Sequence, residues 1–500
     1  MSRPARRDTM LVAALCLLTA QGIAGDDGHT VVPVSPWMVL PFVVLLLAIA
    51  IAPFINRHWW EKRYPLVATG LGLITVVYYL FFLGNPGRML ATGIEYVSFI
   101  CLIGSLFVVA GGIHIRIRGK STPRANVFLL AIGGVVSNLI GTTGASMILI
   151  RPYLRVNRYR VRPYHVVFFI FVVSNMGGAL TPIGDPPLFL GYLRGIPFFW
   201  VLEQVWFPWL IAMAAVLGAF YAFDAWSFHR LRARARHEAE ESPEEGEVSG
   251  LQNIFFLILI LIAVFITDPP FVRELLMIAA AAGSYLMTKK EIHRKNDFNF
   301  LPIKEVAILF LGIFATMVPA LDWLELNAGT IGIHSAGQFY WACGSLSAFL
   351  DNAPTYLNFL SAQIGLFAPP DAVSQVQHVV QTHGADLAAL TGPYAADVKT
   401  AYETLLRYHY NLVAAGTVPD DDVATAFLLG NHPLHVAAIS LAAVFFGAVT
   451  YIGNGPNFMV KSIADQSGVR CPSFFGYVVR FALPILLPIF VLIWLLFIRG

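Results

Sequence analysis

The chain has 500 residues, of which 57% are hydrophobic and 13% charged, with a formal net charge of +3 and a mean hydropathy of +0.67. Soluble domains carry about 25% charged residues, so a soluble protein of this make-up would expose large apolar patches. Soluble enzymes and nucleic-acid-binding modules are set aside on that ground. The small positive charge is better explained by membrane topology than by a charged partner.

The first residues read as a targeting signal. Arg3, Arg6 and Arg7 precede the apolar stretch Met10–Ala20 and the small-x-small triplet Gly22-Ile23-Ala24. That order is expected to be cleaved and to leave a chain that starts outside. Apolar runs of membrane-spanning length, or close to it, follow at Trp37–Ile55, Pro65–Leu83, Tyr96–Ile113, Val201–Ala222, Ile254–Ile266, Leu275–Met287, Val306–Leu321 and Phe475–Ile498. Trp59 and Trp60 read as an interfacial anchor. Cys16, Cys101, Cys343 and Cys471 are scattered, with no Cys-x-x-Cys and no adjoining His cluster, so neither a disulfide framework nor a zinc site is expected.

Lys and Arg accumulate in cytoplasmic loops, which orients the spans. Arg57, Lys62 and Arg63 fall inside, Arg88 lies in a sparse external loop, and Arg116, Arg118, Lys120 and Arg124 fall inside again. Residues Ala125–Ile150 are long enough to cross, yet they lead to Arg151, Arg155, Arg158, Arg160 and Arg162. A single crossing would put one basic cluster on the wrong side. The middle, "SNLIGTTGAS", is rich in Gly, Ser and Thr, and the expectation is a re-entrant hairpin opening to the cytoplasm. "HRLRARARHE" and "KKEIHRK" also fall inside, around a helical pair, and the acidic "EAEESPEEGE" reads as a solvated linker. Phe367–Asn431, with Lys399 and Arg407 as its only Lys/Arg, suits a partly helical external loop.

Deep in an apolar region stands "GGALTPIGDPP", Gly177–Pro187. It aligns without gaps to "FGAVTYIGNGP", Phe446–Pro456, sharing Gly178/Gly447, Ala179/Ala448, Thr181/Thr450, Ile183/Ile452, Gly184/Gly453 and Pro187/Pro456. A second irregular segment precedes each: "SNLIGTTGAS" in one half and "SLSAFLDNAPTYLNF", Ser345–Phe359, in the other. By the loop count the second opens outward. The expected fold class is an all-α polytopic membrane protein with two inverted-topology repeats, each holding a re-entrant hairpin and a broken helix. Secondary transporters bear this pattern, with the site near the midplane. The boundaries run 1–24 for the signal, 25–93 for N-terminal scaffold helices, 94–224 for the first repeat, 225–304 for the linker and helical pair, and 305–500 for the second repeat with external loop 367–431. Helix ends at the breaks free backbone groups for an ion, and a carboxylate in the bilayer, Asp185, is a functional candidate by default.

These residues resemble the ion transporter superfamily of sodium/proton antiporters, arsenite permeases and citrate or dicarboxylate carriers. "SNMGGALTPIGDPP" and "LDNAPT" are most similar to D-type sodium/proton antiporters and to bacterial permeases named as citrate transporters. The resemblance implies a homodimer in the bilayer of a bacterial-type inner membrane, with scaffold and moving parts and cation sites at the hairpin tips. It assigns Ser137, Asn138, Thr142 and Thr143 to the first hairpin, and Asp351, Asn352 and Thr355 to the second. Asn175, Thr181 and Asp185 belong to the first break, Thr450, Asn454 and Asn457 to the second. The chain departs from the antiporter pattern in having Gly141-Thr142 where an Asp-Asn pair would stand.

Sodium takes hard oxygen ligands, and proton exchange needs a titrating group at the same place. Asp351, supported by Asp185, is expected to carry both, and the expected function is sodium/proton antiport. The alternative is sodium- or proton-coupled symport of citrate or another carboxylate, met by helix N-termini and Ser/Asn/Thr donors. The partner is then a small inorganic cation or a small carboxylate, with no cofactor, no transition metal and no nucleic acid. An intramembrane aspartyl protease is disfavoured, because the stretch around Asp185 is Pro182-Ile183-Gly184-Asp185 rather than Gly-x-Gly-Asp. No P-loop motif supports an ATP-driven pump. His432 and His435, ahead of the second break, read as structural or pH-sensing.

Overall fold

The computed structural model describes residues 32–116, 121–230, 247–266, 269–296, 298–330 and 332–499. The expected signal peptide, Arg118, Lys120 and most of the acidic linker lie outside the described residues.

In chain order, α1 (Leu40–Ile55) and α2 (Arg57–Val77, prolonged by a π-helical turn to Phe82) come first. α3 spans Pro86–Gly111. It begins ten residues before the apolar run because Asn85 caps it, accepting from the Arg88 amide at 3.1 Å. Arg88 is therefore a helical residue and not part of an external loop. α4 (Pro123–Val156), α5 (Pro163–Val172), α6 (Pro186–Leu193) and α7 (Trp200–His229) complete the first half. α7 runs on past the boundary expected at residue 224. A strand, β1 (His114–Arg116), pairs antiparallel with β2 (Glu247–Ser249), and the helical pair α8 (Gln252–Val264) and α9 (Val272–Met287) follows.

Beyond the short α10 (Lys290–Lys295), the second half holds α11 (Leu301–Asn327), α12 (Ala336–Ser347) and α13 (Asn352–Phe367). The expected external loop is itself folded: α14 (Pro370–Gln381), α15 (Ala395–Tyr408), α16 (Tyr410–Ala415) and α17 (Asp420–Asn431) close around Ala372, Val376, Val398, Leu405, Val423 and Phe427. α18 (Pro433–Phe446), α19 (Gly455–Gln466) and a C-terminal span, Phe474–Ile498, end the chain.

Among the described residues, seven helices are long and apolar enough to cross a membrane. This is an all-α, multi-pass membrane protein. One of the seven, α4, does not cross. Asn126 and Asn157 lie 31 residues apart and hydrogen bond at 2.8 Å, whereas a straight helix would hold them roughly 46 Å apart. Ser137 and Ser146 reach the adjacent residues Val173 and Ser174 at 2.7 Å each. The chain reverses at Gly141, whose φ of +77° is the left-handed region open to glycine. The expected re-entrant hairpin is therefore present.

α12 and α13 form the second hairpin, with a turn at Phe349–Asp351 and arms that meet again where Phe339 and Phe367 lie 6.2 Å apart. The hairpins open at opposite ends of α7. At its start, Glu203 accepts from Arg407 and Tyr408 of α15 at 2.9 and 2.8 Å. Near its end, Asp224 accepts from Asn126 and Arg160 at the base of the first hairpin, at 3.1 and 2.8 Å. Twenty-one helical residues separate those acids, about 32 Å, close to the thickness of a bilayer core.

Corresponding helices of the halves run antiparallel. Arg88, at the start of α3, pairs with Asp322 near the end of α11 at 2.7 Å, and Phe99 stacks on Phe310 midway at 4.8 Å. Likewise Phe207, early in α7, meets Phe497 at the end of the chain at 5.6 Å. Antiparallel packing of equivalent elements is what inverted repeats require.

Candidate functional site

Both broken helices stop in the same way. α5 gives way to a 3-10 turn at Met176–Gly178 before α6, and α18 to one at Gly447–Val449 before α19. In the first break the backbone doubles back so tightly that a Cβ on Gly178 would stand 2.7 Å from the Gly184 carbonyl oxygen. Each hairpin is stitched to its break by matched bonds. The Thr181 hydroxyl donates to the Asn138 carbonyl at 2.7 Å, and Thr450 to that of Ala348 at 2.6 Å. Ser137 donates to Val173 O at 2.7 Å and Ser347 to Ala443 O at 2.6 Å. The matched pairs set Asn138 against Ala348 and Ser137 against Ser347. The same register sets Gly141-Thr142 against Asp351-Asn352.

The tips converge on one carboxylate. Thr142 Oγ1 donates to Asp185 Oδ1 at 2.7 Å, Asn454 Nδ2 to the same oxygen at 3.0 Å, and Asn352 Nδ2 to Asp185 Oδ2 at 2.5 Å. Both hairpin tips and both breaks thus contribute to one site. Asn175 links to it from behind, its Oδ1 accepting from Asn454 at 3.2 Å and its Nδ2 donating to Asn457 Oδ1 at 2.7 Å. Asn457 in turn donates to the carbonyls of Gly447 and Thr450 at 2.8 and 2.9 Å. Asn138 is spent on the first break, donating to Gly177 O at 2.6 Å and accepting from the Leu180 amide at 2.9 Å.

Asp351 stands differently. It is half-buried and caps α13, accepting from the Ala353 amide at 3.1 Å, while Thr355 donates to its backbone carbonyl at 2.9 Å. A cavity of about 30 Å³ is lined by Thr142, Thr143 and Asp185, and another of about 50 Å³ by Thr143, Asp351 and Asn454. Each has room for water or a bare cation. Among the described residues, Asp185 and Asp351 are the only charged side chains lining them. Both cavities lie against the later part of α3, at Ile103 and Phe107, and the second touches the start of α11, at Val306 and Phe310. The N-termini of α6, α13 and α19 begin at Asp185, Asp351 and Asn454, so three helix dipoles present their positive ends here.

Sequence reading missed two buried ion clusters. Asp224 accepts from Arg160, Asn126 and Tyr164 and lies 3.2 Å from His165 Nε2. Asp322 accepts from Arg88 and from Tyr79, the latter at 2.7 Å. Acids inside or at the edge of apolar runs were the available signal. His432 and His435 pack on Phe367 at 4.4 and 4.7 Å, outside the site.

A family model described as "Putative citrate transport" matches residues 31–498. No curated protein matches the chain.

Proposed function

We propose, from the premise that this chain belongs to the citrate-transport family whose model it matches, that it is a secondary transporter loading a monovalent cation at Asp185 and exchanging sodium for protons. The carrying observation is a buried carboxylate on the first break, reached by neutral groups from both hairpins and the second break, beside cavities lined by no cationic side chain among the described residues. A carboxylate can hold either sodium or a proton, which is the competition an exchanger needs. A group shared by both repeats also feels any movement of one against the other. On this reading Asp185, with donors from both repeats, takes the principal role and Asp351 the supporting one, the reverse of the order expected from sequence. Asp351 is half-buried, and one of its two carboxylate oxygens caps α13.

The test is flux in proteoliposomes, with sodium, lithium, potassium and citrate run in parallel. Sodium or lithium gradients are expected to drive proton movement, and Asp185→Asn to stop it. Absence of cation-driven proton movement in the unaltered protein overturns the reading.

A second reading is sodium- or proton-coupled symport of citrate or another carboxylate, with the cation at Asp185 offsetting the charge of the anion. It is favoured by the family match and by the three converging helix N-termini. Citrate accumulation on a sodium or proton gradient decides for it. Under either reading the location proposed is a bacterial-type inner membrane, with the basic loops inside.

A further inference from the structure

The two cavities mark a seam between two walls. α3 and α11 form one wall, at Ile103, Phe107, Val306 and Phe310; the hairpin tips and broken helices form the other, at Thr143, Pro186 and Pro456. The cavities occupy the part of the seam along the later half of α3 and the start of α11. Toward the start of α3 and the end of α11, on the side where the second hairpin opens, the same seam is shut. There α13 lies so close to α11 that a Cβ on Gly365 has no room against the Glu325 carbonyl oxygen. An ion pair also crosses between the walls. Arg194, the C-cap of α6, places Nε 3.1 Å from Glu95 Oε1 of α3 and Nη2 3.5 Å from Glu95 Oε2.

Both side chains are largely covered, at 11% and 14% exposure. Glu95 stands nine residues past Pro86 in the apolar helix α3, about 14 Å along it. Ionisable groups at such depth are costly and face a watery route in some state of the protein. An apolar seal would lose its burial when the walls part, whereas separated charges regain their water, so a charged seal is the cheaper one to open. The neighbouring Arg88–Asp322 pair lies within one wall, between α3 and α11, and does not cross. Arg194 is steadied from behind by α17 of the second repeat. Asp421 Oδ2 lies 3.6 Å from its Nη1, and Thr425 donates to its carbonyl at 2.7 Å. At Gly195, with φ of +84°, a Cβ has no room beside Asp422.

We infer that the Arg194–Glu95 pair is a latch across the seam, closing the route from the central site to the second-hairpin side and parting when the site turns to that side. This rests on reading the chain as an alternating-access transporter and on neither choice of cargo. No covalent step is involved. The latch holds one arrangement of the walls in preference to the other, and its loss shifts their populations.

The test is side-resolved labelling of a single cysteine, Leu102→Cys, in protein whose four natural cysteines are replaced by alanine. Leu102 lines the first cavity, seven residues beyond Glu95 and about two turns nearer the site. A membrane-impermeant maleimide is expected to reach this cysteine from the first-hairpin side. Glu95→Gln keeps the shape and removes the charge, and labelling from the second-hairpin side is expected to rise about tenfold. Arg194→Gln is expected to do the same, and Arg194→Lys, which keeps the charge, to fall between. A static brace would lower the thermal midpoint and leave the rate of labelling from each side unchanged; that result overturns the inference.

Glu95→Cys combined with Arg194→Cys supplies a second measurement. When a short, reducible thiol cross-linker bridges the two, sodium-driven proton movement or citrate uptake, whichever the unaltered protein shows, is expected to stop and to return on reduction. Undiminished flux in the bridged protein overturns the latch. If labelling changes sides in a protein that shows no sodium-driven proton movement, the exchange reading fails and the latch stands.

Discussion

At the base of the α4 hairpin, Asp224 gathers Asn126 from the first arm, and Arg160 and Tyr164 from the segment that follows the second. At the base of the α12–α13 hairpin, the arms meet through rings: Phe339 against Phe367, and Phe367 against His432 and His435. Directional bonds to a buried charge permit one arrangement and are costly to break. Ring contacts are tolerant of sliding and carry about 0.5–1.5 kcal/mol beyond area burial. The tips differ in the opposite sense: the anchored hairpin turns on Gly141 and offers Thr142, while the ring-packed hairpin turns on Asp351 and offers Asn352. The first hairpin is thus held at its base by a buried charge, and the second by rings with bonds from His435 to the His334 carbonyl and from Gln363 to the His435 carbonyl.

The most severe challenge to that contrast is Asp224→Ala, which would leave the Arg160 charge buried without its acid. A loss of about 3–5 kcal/mol is expected, seen as a clearly lower thermal midpoint in detergent. Phe367→Ala should cost less despite its size, because the neighbouring rings can close over the space. Equal losses would abolish the distinction between the two bases.

Next in size is Asp185→Asn. Cation-driven flux should fall about 100-fold, roughly 2.7 kcal/mol, with the melting temperature retained. Flux within a few-fold of the unaltered protein would remove Asp185 from the centre.

Gly141→Ala comes third. Its Cβ would meet the Ile183 carbonyl oxygen at 3.3 Å at a φ of +77°, and a cost of about 1–3 kcal/mol follows from the strain. No destabilisation in thermal unfolding would mean that the turn is less constrained than described. The smallest effect is expected for Asp351→Asn. An asparagine still caps α13, so flux should drop only a few-fold, with sodium dependence weakened. Complete loss would restore Asp351 to the principal place.

Much of this was legible because it is local. The Gly, Pro and Thr of the two breaks repeat at fixed spacing, and basic residues on both sides of one apolar segment exclude a simple crossing. The hairpin, the breaks and the inversion followed from such patterns. What escaped depends on distant partners. Arg88 looked like a loop residue until Asp322, 234 positions away, supplied its counter-ion. Arg160 looked like a topology signal, yet it is buried on Asp224. The different surroundings of Asp185 and Asp351 were also out of reach, since both stand beside Gly, Pro and Asn. Only the folded chain puts one amid side-chain donors from both repeats and the other over a helix N-terminus. The segment 367–431 read as a loop because its helices are polar on one side; their apolar sides close on each other.

A duplicated gene begins with two identical halves, and most positions keep their copies far apart. Asp185 and Asn454 are copies that touch, at 3.0 Å. Had both remained aspartate, two carboxylates would face each other across that distance and could not both be ionised. An ancestor with identical halves would have met this conflict here. Divergence of one copy to an amide resolves it, converting repulsion into a hydrogen bond. The asymmetry of the two repeats is therefore a condition for their sharing one charge.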